Sequence, residues 1–449
     1  MSRRFAISFF LVLVCICAWA RTRPHYGGSL RVEIAGDPWH GPDGLARRLV
    51  LDGLTALDAN GLVSSALAVD WQSDSSDHRW QFRLRQGVHF HDGSPLNAEA
   101  VAMALNTACT ANCPWTAVRA VGSMVVFTDD SPMPNLPALL ARNTYLIMLT
   151  RTADGQTPAN PIGTGPFQFT SSNNGTLTLT ANDSCWQGRP FLDEIVIVGN
   201  RPIRDQWLDL SVGRADIAEI PPQDLRQAQQ QRLTVVVSPP VELLALAVSD
   251  SGPLGNAALR AAIAEAVDRG ALSNVIFQKQ GEITASLLLQ SLTGYAFLFP
   301  ADRDLNKAIE LRGGMTPPRL VMSADVDGTM QLAAQRIALN LREAGFNVQV
   351  VSPLSSLRPD LALYQFPLEG ADPAAALETV LRSAGENVPV AGRDPIALYR
   401  AEHDVLGLHT IVPLLDLPRA WAVGSRVRDL RLRADGTPDL AGASLEGTQ

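Results

Sequence analysis

Apolar residues alternate with polar ones along Gly27–Ile34, where Leu30, Val32 and Ile34 share one side; this period of two predicts a strand. The stretch Arg79–Phe90 alternates more clearly. Trp80, Phe82 and Leu84 face one way, Gln81, Arg83 and Arg85 the other, and Val88 and Phe90 resume the apolar face after a break at Gly87. That is the pattern of a half-buried strand. Further strands are predicted at Leu177–Thr180, Ile195–Val198, Glu242–Val248, Val348–Val351 and Asp360–Phe366. The period changes to 3.6 elsewhere: Leu259, Ile263 and Val267 line one helical face, and Ala333, Ile337, Leu341 and Ala344 line another that ends at Gly345. Helices are also expected over Ala46–Leu54, from Asn97 to about Asn106, before Gly213 and after Asp372-Pro373. Strands and helices in alternation, with no tandem repeat, predict an α/β or α+β chain in two lobes.

Three short stretches raise questions of chemistry. His89 and His91 would share the polar face of an extended segment, a geometry suited to a metal ion. Asp92-Gly93 is a turn signal, however, Asn97 is a good N-cap, and Glu99 sits where the helix dipole favours an anion. The stretch therefore reads as strand, turn and capped helix, and no metal site is expected. Gly163 and Gly165 bracket Thr164 in "PIGTGPFQF". A phosphate cradle would need a lysine and a following helix, so the glycines are read as permitting a tight crossing between layers. Cys109 and Cys113 either close a small loop disulfide or stay unpaired, and zinc would need a second pair that is absent.

Composition narrows the function. The chain of 449 residues has a formal charge of −8, with 46% apolar and 18% charged residues, which describes a large globular protein. Arg3 and Arg4 precede an apolar run from Phe5 to Cys17 that is too short to span a bilayer, and Ala18-Trp19-Ala20 follows. Residues 1–20 are read as a cleavable secretory signal, with lipid attachment at Cys15 or Cys17 as the rival reading. Cleavage removes two arginines and no acid, taking the charge to −10. Such a chain offers no electrostatic footprint for nucleic acid, and no basic amphipathic segment for a membrane surface.

The order of motifs resembles the family 5 solute-binding proteins of ABC transporters, which bind peptides, opines or nickel. The resemblance runs through "GGSLRVEI", the block from Arg47 to Val101 that includes "FHDG", "NPIGTGPFQF", "LTLTANDSCWQGRPFLDEIVI", "VGRADIAEIPP", "LRAAIAEAVDRGAL" and the closing "DPIALYRAEHDVLGLHTIVPLLDL". It implies a two-lobed periplasmic binding protein fold of the class II type with an extra subdomain in lobe one. Lobe one would take residues 21–240, with the subdomain at about 49–160. Lobe two would take 241–410, and 411–449 would return to lobe one. The family's "FHDG" is structural, in line with the reading of His89 and His91. The loop after strand one is short, and Asn106–Thr150 is compressed relative to the family pattern.

The resemblance also places a ligand, peptide-like in chemistry, in the cleft between the lobes. Family members often carry an aspartate three residues before an Asp-Pro and an aromatic three residues earlier. Here "FPLEGADP" puts Glu369 at the carboxylate position, Phe366 at the aromatic one and Asp372 in the Asp-Pro. Glu369 is then either the anchor of a cationic amine or a solvated loop acid, and Phe366 either a cleft residue or core. Trp39 and His40, with Asp37, would line the opposite wall. The implied protein is a periplasmic monomer without cofactor that closes on its solute and docks on a membrane permease, its only link to the membrane. The alternatives are a binding module of the same fold used for sensing or chaperoning, and a secreted enzyme. No nucleophile elbow, zinc-protease motif, phosphate loop or dinucleotide fingerprint supports an enzyme.

Overall fold

The computed structural model describes residues 25–40, 44–109, 113–152, 154–294, 299–314, 319–324, 328–368, 372–383 and 394–446. The signal at residues 1–20 and the anchor candidate Glu369 lie outside the described residues.

The fold is α/β in two lobes, strung on one large mixed sheet. In lobe one the strand Ser29–Glu33 runs parallel to Glu194–Val198 on one side and to Ile217–Ile220 on the other. Its alternation is realised as burial: Leu30 and Val32 are fully buried and Ile34 nearly so, in a core shared with Phe167, Ile195, Ile197 and Trp421. In lobe two the strand Arg319–Ser323 runs parallel to Asn347–Val351 and Leu361–Pro367. The helix Gly328–Glu343 packs there through Ala333, Ile337 and Leu341, each fully buried, as its period requires.

Two long strands join the lobes. The outgoing strand Thr234–Val248 and the return strand Ile411–Val423 are antiparallel neighbours throughout. Thr234–Val237 pairs with Ala420–Val423 in lobe one, and Glu242–Ala247 pairs with Ile411–Leu417 in lobe two. Between these zones the register shifts twice, around Pro240. Pro239, Pro240 and Pro418 sit at this crossing, and a proline cannot donate to the ladder, so few sheet bonds resist bending there. The return strand was expected in lobe one from residue 411; it stays paired within lobe two through Leu417.

The extra subdomain has its own core. A four-stranded antiparallel sheet of Ala68–Ser73, Arg79–Leu84, Met124–Thr128 and Ala117–Val121 packs Phe82 and Phe127 against the helix Ala98–Ala108. Asn97 caps that helix by accepting from the Ala100 N–H at 2.8 Å. Cys109 and Cys113 are joined as a disulfide, with their Cα atoms 5.6 Å apart, and they pack against this core.

The glycine pair has a steric role. A Cβ on Gly163 would lie 2.0 Å from the Val50 carbonyl oxygen, and one on Gly165 would lie 2.5 Å from that of Leu49. The Gly165 N–H donates to Val50 O at 3.0 Å, and the chain leaves helical geometry at Leu51. This contact explains why the helix predicted over Ala46–Leu54 is only Arg47–Val50. His91 locks the same loop: its N–H donates to Gly163 O at 2.9 Å, its Nδ1 accepts from Gly163 N at 3.3 Å, and its Nε2 donates to Gly165 O at 3.0 Å. Both ring nitrogens are thus engaged by backbone, and burial lowers the pKa of the imidazole.

Lobe two holds a buried carboxyl with a measurable consequence. Glu402 is fully buried; its Oε1 accepts from Ser286 Oγ at 2.7 Å and from the N–H groups of Leu287 and Leu288, while Oε2 has no hydrogen-bond partner. Burial raises its pKa from 4.5 to about 7. Between those values the folded state keeps a proton that the unfolded chain has released, so stability falls as pH rises through that window and levels off above it. Asp416, raised to about 7 by burial and by the charges of Glu282 and Glu402, adds to the same slope. Glu402→Gln keeps the acceptor and removes the titration. Urea midpoints measured across pH 4.5–8 are expected to fall less steeply for this variant than for the wild type, with the variant the more stable of the two at pH 8.

Candidate functional site

The strands end where the lobes meet. The Ser29–Glu33 strand delivers the loop Ala35–His40 to the cleft, Ile217–Ile220 delivers Pro221–Gln223, and the hinge strands supply Glu242, Pro418 and Arg419. Lobe two contributes Phe277, Thr329, Met330, Gln365 and Pro367. Together they enclose a cavity of about 420 Å³ at the hinge, a volume within the usual range for small-molecule sites.

Its floor is charged. Arg419 Nε donates to Glu242 Oε1 at 2.7 Å, the Gln365 side-chain amide donates to Glu242 Oε2, and both ionic side chains are largely buried. Glu219 accepts from the Ala35 N–H at 2.6 Å and holds the first cleft loop. Asp37 stabilises the next turn: its Oδ1 accepts from Trp39 N at 2.8 Å and from His40 N at 2.5 Å, and these backbone bonds hold its carboxyl below the usual range. Among the described residues, three acids against one arginine line this cavity, an environment that favours a cation.

Among the described residues, side-chain hydrogen bonds join the lobes at two places. The Gln223 side-chain amide donates to Thr329 Oγ1, and Arg142 Nη2 reaches Thr379 Oγ1 and the Ala375 carbonyl on the helix Pro373–Ser383. These polar contacts are of a kind that can exchange with water when a cleft opens.

A second cavity of about 430 Å³ is lined, among the described residues, by Trp39, His40, Arg47, Asn143, Thr144 and their neighbours. Trp39 is half-buried, edge-on to Phe169 with ring centroids 6.4 Å apart, and His40 is exposed beside Asp37. The structure therefore brings Trp39 and His40 to one cavity and Asp37 to the other. Phe366 lines neither: it is 5% exposed and packs in lobe two with Leu243, Leu288 and Leu377, on the strand face opposite Gln365 and beside the exposed Tyr364, whose ring centroid is 5.8 Å from its own. Asp372 caps the helix Pro373–Ser383, accepting from Ala375 N at 2.9 Å.

Sequence reading missed Glu242, Gln365 and Arg419. Their signal was present, since Glu242 opens an otherwise apolar strand and Arg419 interrupts "LLDLPRAWAV", and a charge inside a buried strand needs a partner. The partner stands 177 residues away, so neither charge identifies the other along the chain.

The arrangement, two α/β lobes joined by crossing strands with a cavity between them, is that of a periplasmic binding protein. Residues 63–387 match the model of the bacterial extracellular solute-binding proteins, family 5 Middle, and the chain belongs to that family. It is 24% identical over 351 residues to a probable di/tripeptide-binding protein 5 of Pseudomonas aeruginosa, a match covering 68% of this chain and 67% of that protein. It is 24% identical over 274 residues to the dipeptide-binding protein of Escherichia coli, which covers 52% of this chain and about half, 51%, of the relative. Among solved structures, AppA of Bacillus subtilis, an oligopeptide-binding protein in complex with a nonapeptide, superposes with a TM-score of 0.81 at 16% identity over 95% of this chain and 100% of its own. NikA of Staphylococcus aureus in complex with Ni(L-His)2 does so with the same score and identity, over 93% and 100%. These likenesses at low identity establish the fold. Among the described residues, no helix is long and apolar enough to cross a membrane.

Proposed function

We propose that this chain is the periplasmic substrate-binding protein of an ABC importer and captures a peptide-like solute between its lobes. The observation that carries this reading is the hinge cavity, lined from both lobes and floored by the Glu242–Arg419 pair beside the proline-rich strand crossing. A solute touching both walls stabilises the closed state and shifts an equilibrium that exists without it. The closed form then docks on a permease. The relatives named as dipeptide- and di/tripeptide-binding support a peptide-like solute. In this reading residues 1–20 are a cleaved export signal, the mature chain is a monomer, and no chemistry is performed on the solute. Lobe one extends from the mature N-terminus to about residue 240 and resumes after Pro418, with lobe two between. Glu369 anchors the solute's free amine through a charge-assisted bond.

Native mass spectrometry of the protein purified from periplasm tests the reading. A set of co-purified masses spaced by amino-acid residues is expected; a bound species with no amide bond would overturn it. Glu369→Ala is expected to weaken binding of free-amine peptides by roughly tenfold or more while leaving N-acetylated ones unchanged, the loss of one bond to a charged group. Equal weakening of both would remove Glu369 from the site and leave the importer reading standing.

A further inference from the structure

Arg142 lies just past the helical turn Leu136–Leu139 of the extra subdomain and directly before the short helix Asn143–Tyr145. Among the described residues, every hydrogen bond of its guanidinium goes to the other lobe: Nη2 donates to Thr379 Oγ1 and reaches Ala375 O at 3.5 Å. Arginines that build lobe one bond within it, as Arg48 does with Asp435 at 3.4 Å and Arg85 with Ala66 O at 3.2 Å. Arg142 does nothing of that kind for its own lobe.

The receiving side is prepared by lobe two alone. Asp372 caps the helix Pro373–Ser383 by accepting from Ala375 N at 2.9 Å. Thr379 donates its hydroxyl hydrogen to Ala375 O at 2.7 Å, one turn back, so its oxygen is left to accept from outside. The guanidinium therefore meets two oxygens already fixed on one helix. Tyr145, three residues on, lies close to the same helix. Burial raises the pKa of its phenol, and the charges of Arg142 and of Arg382, in the last turn of Pro373–Ser383, oppose that rise. Arg142 is not among the described residues that line the hinge cavity, whereas Gln223 and Thr329, the other pair joining the lobes, both line it. A change at Gln223 alters the cavity wall itself, and a change at Arg142 does not.

From this geometry we infer that Arg142 is a latch for the closed form, a positioning residue by which the extra subdomain grips the helix Pro373–Ser383 once the lobes have come together. The inference rests on the solute-capture reading and gives the extra subdomain a task in it: setting how long a captured solute is held. In the open form the guanidinium returns to water, so the latch is worth the difference between a bond to protein and a bond to solvent. A difference of that size shifts a two-state equilibrium several-fold.

The mature full-length chain, with dyes on exposed positions of each lobe, tests this by single-molecule fluorescence transfer, without solute and at one fixed concentration of a casein digest. Arg142→Gln removes the donor and Thr379→Val the acceptor. Each is expected to lower the closed-to-open ratio about fivefold, the net worth of one hydrogen bond, by the same factor in both conditions. The double variant is expected to lower it no further, since both changes delete one bond. Losses that multiply in the double variant, or an unchanged ratio in either single one, would overturn the latch, and a lowered melting temperature with an unchanged ratio would assign Arg142 to the fold instead. A wild type that closes on the digest while the variants match it would remove the latch and leave solute capture standing. A wild type that keeps one arrangement with and without the digest would overturn the capture reading and the latch with it.

Discussion

Gly163→Ala is expected to destabilise the protein by about 3 kcal/mol, the upper end of what overpacking a close contact costs. The added methyl would stand 2.0 Å from the Val50 carbonyl oxygen and 2.6 Å from a Leu51 methyl, so one backbone segment must move. Moving it also disturbs the bonds that His91 makes to Gly163 and Gly165 and the bond from Gly165 N to Val50 O. Gly163 does not lie in the left-handed region, so the effect is steric rather than conformational. Urea denaturation measures it: the midpoint should drop with an unchanged slope. A variant as stable as the wild type would mean that this crossing relaxes freely, and the steric role of the glycine pair would be withdrawn.

Arg419→Met is expected to cost about 3–5 kcal/mol, because it leaves the Glu242 carboxylate buried at the hinge with, among the described residues, the Gln365 amide as its remaining side-chain partner. The double variant Arg419→Met/Glu242→Leu should recover most of that loss, since an apolar pair of similar volume replaces the ionic one. The cycle separates two roles. If the double variant regains stability but no longer binds solute, the pair serves the cleft; if it regains both, the pair serves only to fix the crossing of the strands. A single variant without loss of stability would show that Glu242 finds solvent at the hinge.

Much of the architecture was legible along the chain because it is local. Leu30 and Val32, or Ala333, Ile337 and Leu341, declare their element and buried face through spacing alone, and Asn97 announces its helix through capping chemistry. The glycine pair was legible as a close crossing, although not what it crosses; Val50 and His91 come from 113 and 72 residues away in sequence. The site was less legible for the same reason. Trp39 and His40 reach a cavity, but Phe366 sits in the core, since the strand's two-residue period turns it toward Leu243 and Leu377 while Gln365 faces the cleft. Arg48 finds its partner, Asp435, 387 residues along the chain, which nothing in its own neighbourhood announces.

The return strand has a consequence for how the molecule comes into being. Its first half completes the lobe-two core through Val412, Leu414 and Leu417, and its second half completes lobe one through Trp421 and Val423. Neither core is complete until the return strand has been made. In a nascent chain the subdomain core can form early, while the cores of both lobes stay open until the return strand emerges. A stop codon shortly before Ile411 would leave two half-built cores rather than one intact lobe.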